Sequence, residues 1–118
     1  MFMTIFTVRK KFGFLYEQDI FSAYFEDFEE AKRFAESEVE NGEEKVFSYS
    51  KKTYPDGSFC YSWLSDNCWI TLDDNAYVTD YRSNGFSFAN ESGLKTCEFE
   101  TMEELRAYLK RSQEIAKN

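Results

Sequence analysis

Carboxylates are the most numerous side chains in this sequence that could do chemistry, and five of them crowd together. Aspartate and glutamate number 22 against 14 lysines and arginines, which gives a formal net charge of −8. The crowded residues are Glu36, Glu38, Glu40, Glu43 and Glu44. An excess of acid favours binding to a cation or to a basic protein surface. It argues against direct binding to nucleic acid or to an anionic membrane, because both need lysine and arginine.

The position of these glutamates makes them candidates for a binding site. A predicted helix stops at Asn41-Gly42, and negative charge is unfavourable at a helix C-terminus. Glu36 and Glu40 also repel each other at i, i+4, at a cost of about 0.2–0.5 kcal/mol. Because no local rule explains these acids, we predict that the five form an acidic ridge that docks on lysines or arginines of a partner. The alternative is a solvated acidic face that serves only solubility.

Other catalytic chemistry is sparse in the sequence. Histidine is absent, which removes the commonest general base near neutral pH and the commonest transition-metal ligand. Cys60, Cys68 and Cys97 are odd in number and lack C-x-x-C spacing, so we expect reduced, partly buried thiols. No nucleophile elbow, Walker loop or dinucleotide-binding motif occurs. We therefore expect no enzyme activity, no cofactor and no metal.

Four aspartates offer an alternative chemistry. Asp66, Asp73, Asp74 and Asp80 could supply carboxylates for glycoside hydrolysis or for a calcium site. The first three fall at predicted turns, where aspartate is favoured for local hydrogen bonding. We therefore favour the turn interpretation over the catalytic one.

An aromatic hairpin organises the predicted fold around these groups. Pro55-Asp56-Gly57 has the residues of a type I turn closed by a left-handed glycine, between strands at 46–54 and 58–64. Pairing Tyr54 with Ser58 sets aromatic residues on one face and mostly polar residues on the other. The aromatic face holds Phe47, Tyr49, Phe59, Tyr61 and Trp63, with Tyr49 opposite Trp63 and Lys51 opposite Tyr61.

Further strands are predicted on either side of this hairpin. A second turn at Asp66-Asn67 returns Ile70 opposite Trp63 and Leu72 opposite Tyr61. Asp73-Asp74-Asn75 is predicted to be a turn, and Asn84-Gly85 has the residues of a type I′ hairpin. The remaining predicted strands are 3–9 (leaving through 10–13), 20–25, 76–82, 86–88 and 95–99, with a loop at 90–93.

Two amphipathic helices are predicted from their capping residues and apolar spacing. Asp27 with Glu30 begins the first, and Thr101 with Glu104 begins the second. The inner positions of the first are Phe28, Ala31, Phe34, Ala35 and Val39. Those of the second are Met102, Leu105, Tyr108, Leu109, Ser112, Ile115 and Ala116.

These elements predict one α+β domain over residues 1–118, with two helices packed on one face of a mostly antiparallel, twisted sheet of six to eight strands. The aromatic sheet face could instead stack bases or sugars. Only Lys51 interrupts it, so we predict a core in which Tyr49, Tyr61 and Trp63 meet Phe28, Phe34, Leu105 and Leu109. No secretion signal or membrane span is evident, and we expect a cytoplasmic protein.

Size, acidity and the lack of catalytic motifs give the chain the overall character of a small inhibitor. In these respects it resembles phage-encoded anti-CRISPR proteins and the immunity proteins that neutralise nuclease toxins. The resemblance implies a non-enzymatic inhibitor that acts as a nucleic-acid mimic. Its acidic ridge would occupy the basic groove of a nucleic-acid-binding protein or nuclease.

Two other classes of function stay open. One is a structural or adaptor domain that uses an open sheet edge and exposed tyrosines, with Tyr16, Tyr24, Tyr77 and Tyr81 as candidates. The other is an enzyme that uses carboxylates or a cysteine, which the missing histidine makes the least favoured of the three.

Overall fold

The computed structural model describes residues 3–13, 18–42, 46, 48–65, 68–80, 85–90 and 95–117, without the side chains of 18, 19, 80, 90, 95 and 96. Within these residues the α+β class is confirmed, with two helices and one antiparallel sheet of seven strands. The strands are β1 Met3–Phe12, β2 Gln18–Phe25, β3 Ser48–Thr53, β4 Phe59–Leu64, β5 Cys68–Asp80, β6 Phe86–Asn90 and β7 Lys95–Phe99. The helices are α1 Phe28–Asn41 and α2 Met102–Lys117.

The sheet has a main path of five strands and a side branch. The main path runs β2-β1-β5-β4-β3, and the branch adds β6 to the far end of β5 and then β7 to β6. β5 is long enough to pair with β4 through its first half and with β6 through its second. Among the described strands, β2 and β3 are therefore the two outer edges of the main path.

The central hairpin has the predicted register. Tyr49 lies opposite Trp63, and Lys51 lies opposite Tyr61. The N–H of Gly57 donates to the carbonyl of Tyr54 at 2.9 Å, and the φ angle of Gly57 is 90°. A left-handed glycine closes the turn, as the sequence predicts.

The return from β4 to β5 is also confirmed in its pairing. Ile70 lies opposite Trp63 and Leu72 opposite Tyr61. The N–H of Ser65 donates to the carbonyl of Cys68 at 2.9 Å, which closes the connection. The predicted turn residues, Asp66 and Asn67, lie outside the described residues.

The predicted turn at Asp73-Asp74-Asn75 is wrong. β5 passes through these residues without a break, and the strand predicted at 76–82 is its second half, described as far as Asp80. Thr7 pairs with Asp73 and Ile5 with Ala76, so three steps of β5 match two steps of β1. The extra residue forms a β-bulge, because continuous pairing with β1 keeps the chain extended where an isolated Asp-Asp-Asn would turn.

The connection to β6 also departs from the sequence prediction. Asp80 pairs with Phe86, so residues 81–85 join the strands, whereas a two-residue hairpin would pair 83 with 86. Gly85 has a φ of 91°, and a Cβ there would lie 2.3 Å from the carbonyl oxygen of Phe99. Asn84 lies outside the described residues.

Both helices begin where their capping residues predict. The Asp27 carboxylate accepts from the N–H of Glu30 at 2.9 Å, and the Thr101 hydroxyl accepts from the N–H of Glu104 at 3.2 Å. Each bond satisfies an N–H group that the first helical turn leaves without a backbone partner. The inner residues predicted for α1 all belong to one core cluster.

Most of α2 packs against a different core cluster from α1, although Ala116 near its C-terminus belongs to the cluster of α1. Phe6 and Val8 of β1 belong to the cluster beneath α1, whereas Ile5 belongs to the cluster that contains Leu105 and Leu109 of α2. Odd and even residues of a strand point to opposite faces. The bulge in β5 continues this division, because it places Leu72 in the first cluster and Ala76 in the second.

The predicted core is therefore correct only in part. Tyr61 and Trp63 are buried beneath α1, and Phe28 and Phe34 of that helix are partly buried against the same cluster. Leu105 and Leu109 belong to the second cluster instead, together with Ile5 and Phe88.

Candidate functional site

The structure brings together two of the five glutamates of the predicted acidic ridge. Glu36 and Glu40 are exposed one helical turn apart on the outer surface of α1. Glu38 is half-buried and lines a groove between the end of α1 and the sheet, since it lies about 200° around the helix from Glu36. Glu43 and Glu44 lie outside the described residues. We call Glu36 and Glu40 the acidic pair.

The acidic pair forms no ion pair within the described residues. α1 has no basic residue in its last turn, where a cation would be favourable. Within the described part of the chain, neither Glu36 nor Glu40 lies within 4.0 Å of a lysine or arginine nitrogen. The carboxylates of both residues are therefore available to an external cationic group.

The groove beside α1 has a volume of about 310 Å³ and mostly apolar walls. Trp63, Val39 and Ile70 form part of these walls, and Lys10 and Glu38 are its charged lining residues.

At one outer edge of the main path, β3 is exposed along its whole length. All of Ser48–Thr53 is exposed, and the Tyr49 side chain retains 55% of its accessible surface. The prediction that Tyr49 lies in the core is wrong because β3 lies beyond α1. Its ring contacts only the border of the aromatic cluster, 5.5 Å from the Trp63 ring and 6.4 Å from the Tyr61 ring.

Two ammonium groups approach the aromatic surface next to this edge. The Nζ of Lys51 lies 5.2 Å from the centre of the Tyr61 ring, and the Nζ of Lys32 on α1 lies 6.0 Å from it. Both distances fit a cation–π interaction. β3 and β4 together contain two lysines, Lys51 and Lys52, and no acid. The charged residues of these two strands are therefore all lysines.

The backbone of β3 presents hydrogen-bonding groups along its outer side. The N–H of Tyr54 donates to the carbonyl of Ser58 at 2.8 Å, which identifies this pair as hydrogen-bonded. Hydrogen-bonded pairs alternate along an antiparallel ladder. Lys52 and Ser50 therefore bond to β4, whereas the N–H and C=O groups of Tyr49, Lys51 and Thr53 point away from it. Among the described elements, none pairs with this side of β3.

The other outer edge, β2, is covered by α2. The N–H of Tyr24 donates to the Ser112 hydroxyl at 3.0 Å, and the amide of Gln113 donates to the Tyr24 carbonyl at 2.7 Å. Two helix side chains thus replace a neighbouring strand at this residue. Ser112 was predicted to face inward, and a polar residue within an apolar stripe is the sequence signal for such a contact.

The predicted inner position of Ile115 is wrong, since 64% of its side chain is exposed. α2 lies along the border of the sheet, so its inward-facing residues near the C-terminus are Ser112 and Ala116. Ile115 lies on the rim of a groove of about 240 Å³ together with Ile20.

The tyrosines suggested for binding have different environments. Tyr24 is buried and Tyr77 is half-buried, whereas Tyr16 and Tyr81 lie outside the described residues. Tyr54 retains 46% of its accessible surface, so Tyr49 and Tyr54 are the exposed tyrosines in the described part of the chain. Sequence analysis missed them because it assigned Tyr49 to the core and Tyr54 to a turn flank.

The aspartates of β5 stabilise the bulge. Asp73 is buried, its carboxylate lies 4.0 Å from the Arg9 guanidinium, and it accepts from the N–H of Asn75 at 3.1 Å. Asp74 accepts from the N–H of Phe59 at 3.1 Å. Both carboxylates are engaged in the structure of the sheet, and the side chains of Asp66 and Asp80 are outside the described set.

The three thiols are half-buried and unbonded to one another. Burial raises the pKa of the Cys60 thiol, and the negative charge of Asp73 adds to this effect. A raised pKa leaves little of the nucleophilic thiolate at neutral pH. Among the described side chains, no group of three or more possible metal ligands occurs.

No family model, curated protein or solved structure matches this chain. Within the described residues, no helix is both long enough and apolar enough to cross a membrane.

Proposed function

We propose that this protein is a non-enzymatic binding protein that inhibits a nucleic-acid-binding protein or nuclease by occupying its basic groove. The observation that carries the proposal is the acidic pair, with Glu36 and Glu40 exposed near the end of α1 and in no ion pair with a described residue. Helix ends normally avoid such charges, so a basic partner surface would relieve an existing repulsion. The two carboxylates would lie where the groove otherwise binds phosphates.

The association should depend on salt. Charges on the rim of an interface mainly accelerate association, and Debye screening reduces this effect beyond about 8 Å at physiological ionic strength. Raising the salt concentration should therefore lower the association rate more than it raises the dissociation rate.

The test is capture of partners from the organism that encodes the protein, at low and at high salt, followed by an assay of nucleic-acid binding by the captured partner. The Glu36→Lys/Glu40→Lys variant should neither bind nor inhibit that partner. A matched control, Glu98→Lys/Glu114→Lys, changes the net charge equally at two exposed positions away from α1. It should act like the parent protein.

Two results would contradict the proposal. One is a captured partner that does not bind nucleic acid. The other is unchanged inhibition by the Glu36→Lys/Glu40→Lys variant, which would make the acidic pair a device for solubility.

An adaptor function is the second candidate, and a separate observation favours it. The β3 edge is exposed along its length, with Tyr49 and Tyr54 beside it. Tyrosine is enriched at protein interfaces, and an uncovered strand can pair with a strand of another chain.

A further inference from the structure

We infer that β3 is a docking edge for an extended acidic peptide, which adds to the sheet as a further strand beside it. The inference concerns a surface separate from the acidic pair and does not depend on the inhibitor proposal. It follows from three properties of the edge: its backbone geometry, its charge and its exposed aromatic side chain.

The backbone geometry supplies the pairing groups. Tyr49, Lys51 and Thr53 each direct one N–H and one C=O outward, as the alternation from the Tyr54–Ser58 pair requires. Regular pairing over Ser48–Thr53 keeps these groups in line. An incoming strand could bond to them without moving β3, which is the mode of strand addition known for exposed sheet edges.

The charge of the edge selects between possible occupants. Lys51 and Lys52 are adjacent and therefore face opposite sides of the sheet. Lysines on an edge strand oppose pairing with a second copy of the same edge, because like charges then approach one another. The same lysines favour a strand with two consecutive acids, since one acid can lie opposite each lysine.

The aromatic neighbourhood adds an apolar contact on the α1 side of the sheet. Tyr49 is exposed next to the buried Trp63 ring, and it flanks Lys51 on the same face. An apolar side chain two positions from the acid would lie over Tyr49, because residues i and i+2 share a face. The preferred peptide therefore combines paired acids with flanking β-branched residues.

The direct test uses a capped synthetic probe, Thr-Val-Glu-Glu-Val-Thr, titrated into the full chain. Binding should protect the amides of Tyr49, Lys51 and Thr53 from hydrogen exchange and shift their NMR signals. Two matched probes serve as controls, one with Lys-Lys in place of Glu-Glu and one with N-methyl groups at alternate residues, which removes the hydrogen bonds. Neither control should protect these amides.

Variants of the protein test charge and hydrogen bonding separately. Lys51→Glu/Lys52→Glu should lower the affinity for the acidic probe by about tenfold, because two favourable charge pairs become repulsive. It should also strengthen binding of the Lys-Lys probe. Thr53→Pro removes one outward N–H while leaving both lysines and the ladder to β4, and proline is tolerated on an edge strand. This variant should bind the acidic probe more weakly than the parent does. Its urea denaturation midpoint should show that the fold persists.

Three outcomes would overturn the inference. The Lys-Lys probe could bind as well as the acidic one, or the acidic probe could produce no protection on β3 at any soluble concentration. Protection of the same amides that rises with protein concentration, without any probe, would show that the occupant is a second copy. None of these outcomes affects the test of the inhibitor proposal, which uses substitutions of Glu36 and Glu40.

Discussion

The two outer edges of the five-strand path are completed in different ways. At β2, α2 lies along the edge, and Ser112 and Gln113 bond to the backbone N–H and C=O of Tyr24. At β3, no described element covers the edge, and all of Ser48–Thr53 is exposed. Within the described residues, side chains of α2 thus close one edge, and the other edge is uncovered.

The difference between the two edges follows from their surroundings in the fold. The β2 edge lies between two core clusters, where backbone groups left without partners would be costly, so helix side chains bond to them. The residues of β3 are exposed, so water can satisfy their outward backbone groups and folding does not require a cover. An uncovered edge with two lysines and an exposed tyrosine is a surface on which binding can be selected.

The largest expected effect comes from detaching α2 from the β2 edge. Leu105 is fully buried in the cluster that contains Tyr24. Leu105→Ala should lower the free energy of unfolding by about 2–5 kcal/mol, measured by urea denaturation. It should also accelerate hydrogen exchange at the Tyr24 amide.

Ile115→Ala is the matched control on the same helix, since that side chain is 64% exposed. It should change the unfolding free energy by less than about 0.5 kcal/mol. Equal losses for the two variants would show that α2 does not cover the edge as described.

Sequence reasoning recovered the elements that local rules determine. The hairpin turn needs a left-handed residue, and glycine stands at that position, so the register of Tyr49 with Trp63 followed from the turn. Helix caps were equally local, and Asp27 and Thr101 each accept from an N–H three residues ahead.

Features set by distant contacts were not recovered. The Asp-Asp-Asn segment has turn residues, but β1 pairs along it and holds it extended with a bulge. At the β2 edge, Tyr24 bonds to Ser112 and Gln113, which follow it in the sequence by 88 and 89 positions. No local sequence pattern indicates contacts over that separation. The exposure of Tyr49 depends on where α1 lies. Among the ridge residues, helical spacing alone would have separated Glu38 from the acidic pair.

The second largest effect is expected from removing the two bonds to Tyr24. Ser112→Ala/Gln113→Ala should lower the unfolding free energy by about 2 kcal/mol, since each buried backbone group loses a bond worth about 1 kcal/mol. Lys110→Ala, at an exposed position of α2, is the control and should have no comparable effect. If the double variant is as stable as the parent, water replaces the helix at this edge.

Alkaline pH should also loosen the covered edge, through Tyr108. Burial raises the pKa of Tyr108 to about 12 from its ordinary value of 10.0, and nearby Cys97 and Tyr24 add to the rise. The folded state therefore holds this proton more tightly, so its stabilising contribution is complete below pH 10.0 and is lost as pH rises towards about 12.

The measurement is urea denaturation of the parent and of Tyr108→Phe across this pH range. The variant has no phenol to ionise at this position and should lose less stability. Identical pH dependence in the two proteins would show that Tyr108 ionises at its ordinary pKa when folded.

The smallest effect on stability is expected at the uncovered edge. Lys51→Thr/Lys52→Thr changes two exposed residues and should alter the unfolding free energy by less than about 0.5 kcal/mol. It should nevertheless promote self-association, measured by sedimentation, because lysines on an edge oppose strand pairing. A variant that stays monomeric at every concentration would show that the lysines do not prevent strand pairing between copies at this edge.

Amide hydrogen exchange on the isolated protein tests the comparison of the two edges most directly. Slow exchange is expected at Tyr24, which bonds to α2, and at Ser50 and Lys52, which bond to β4. Fast exchange is expected at Tyr49, Lys51 and Thr53, whose N–H groups point away from β4. Equal protection of neighbouring β3 amides, or fast exchange at Tyr24 in the folded protein, would contradict this comparison.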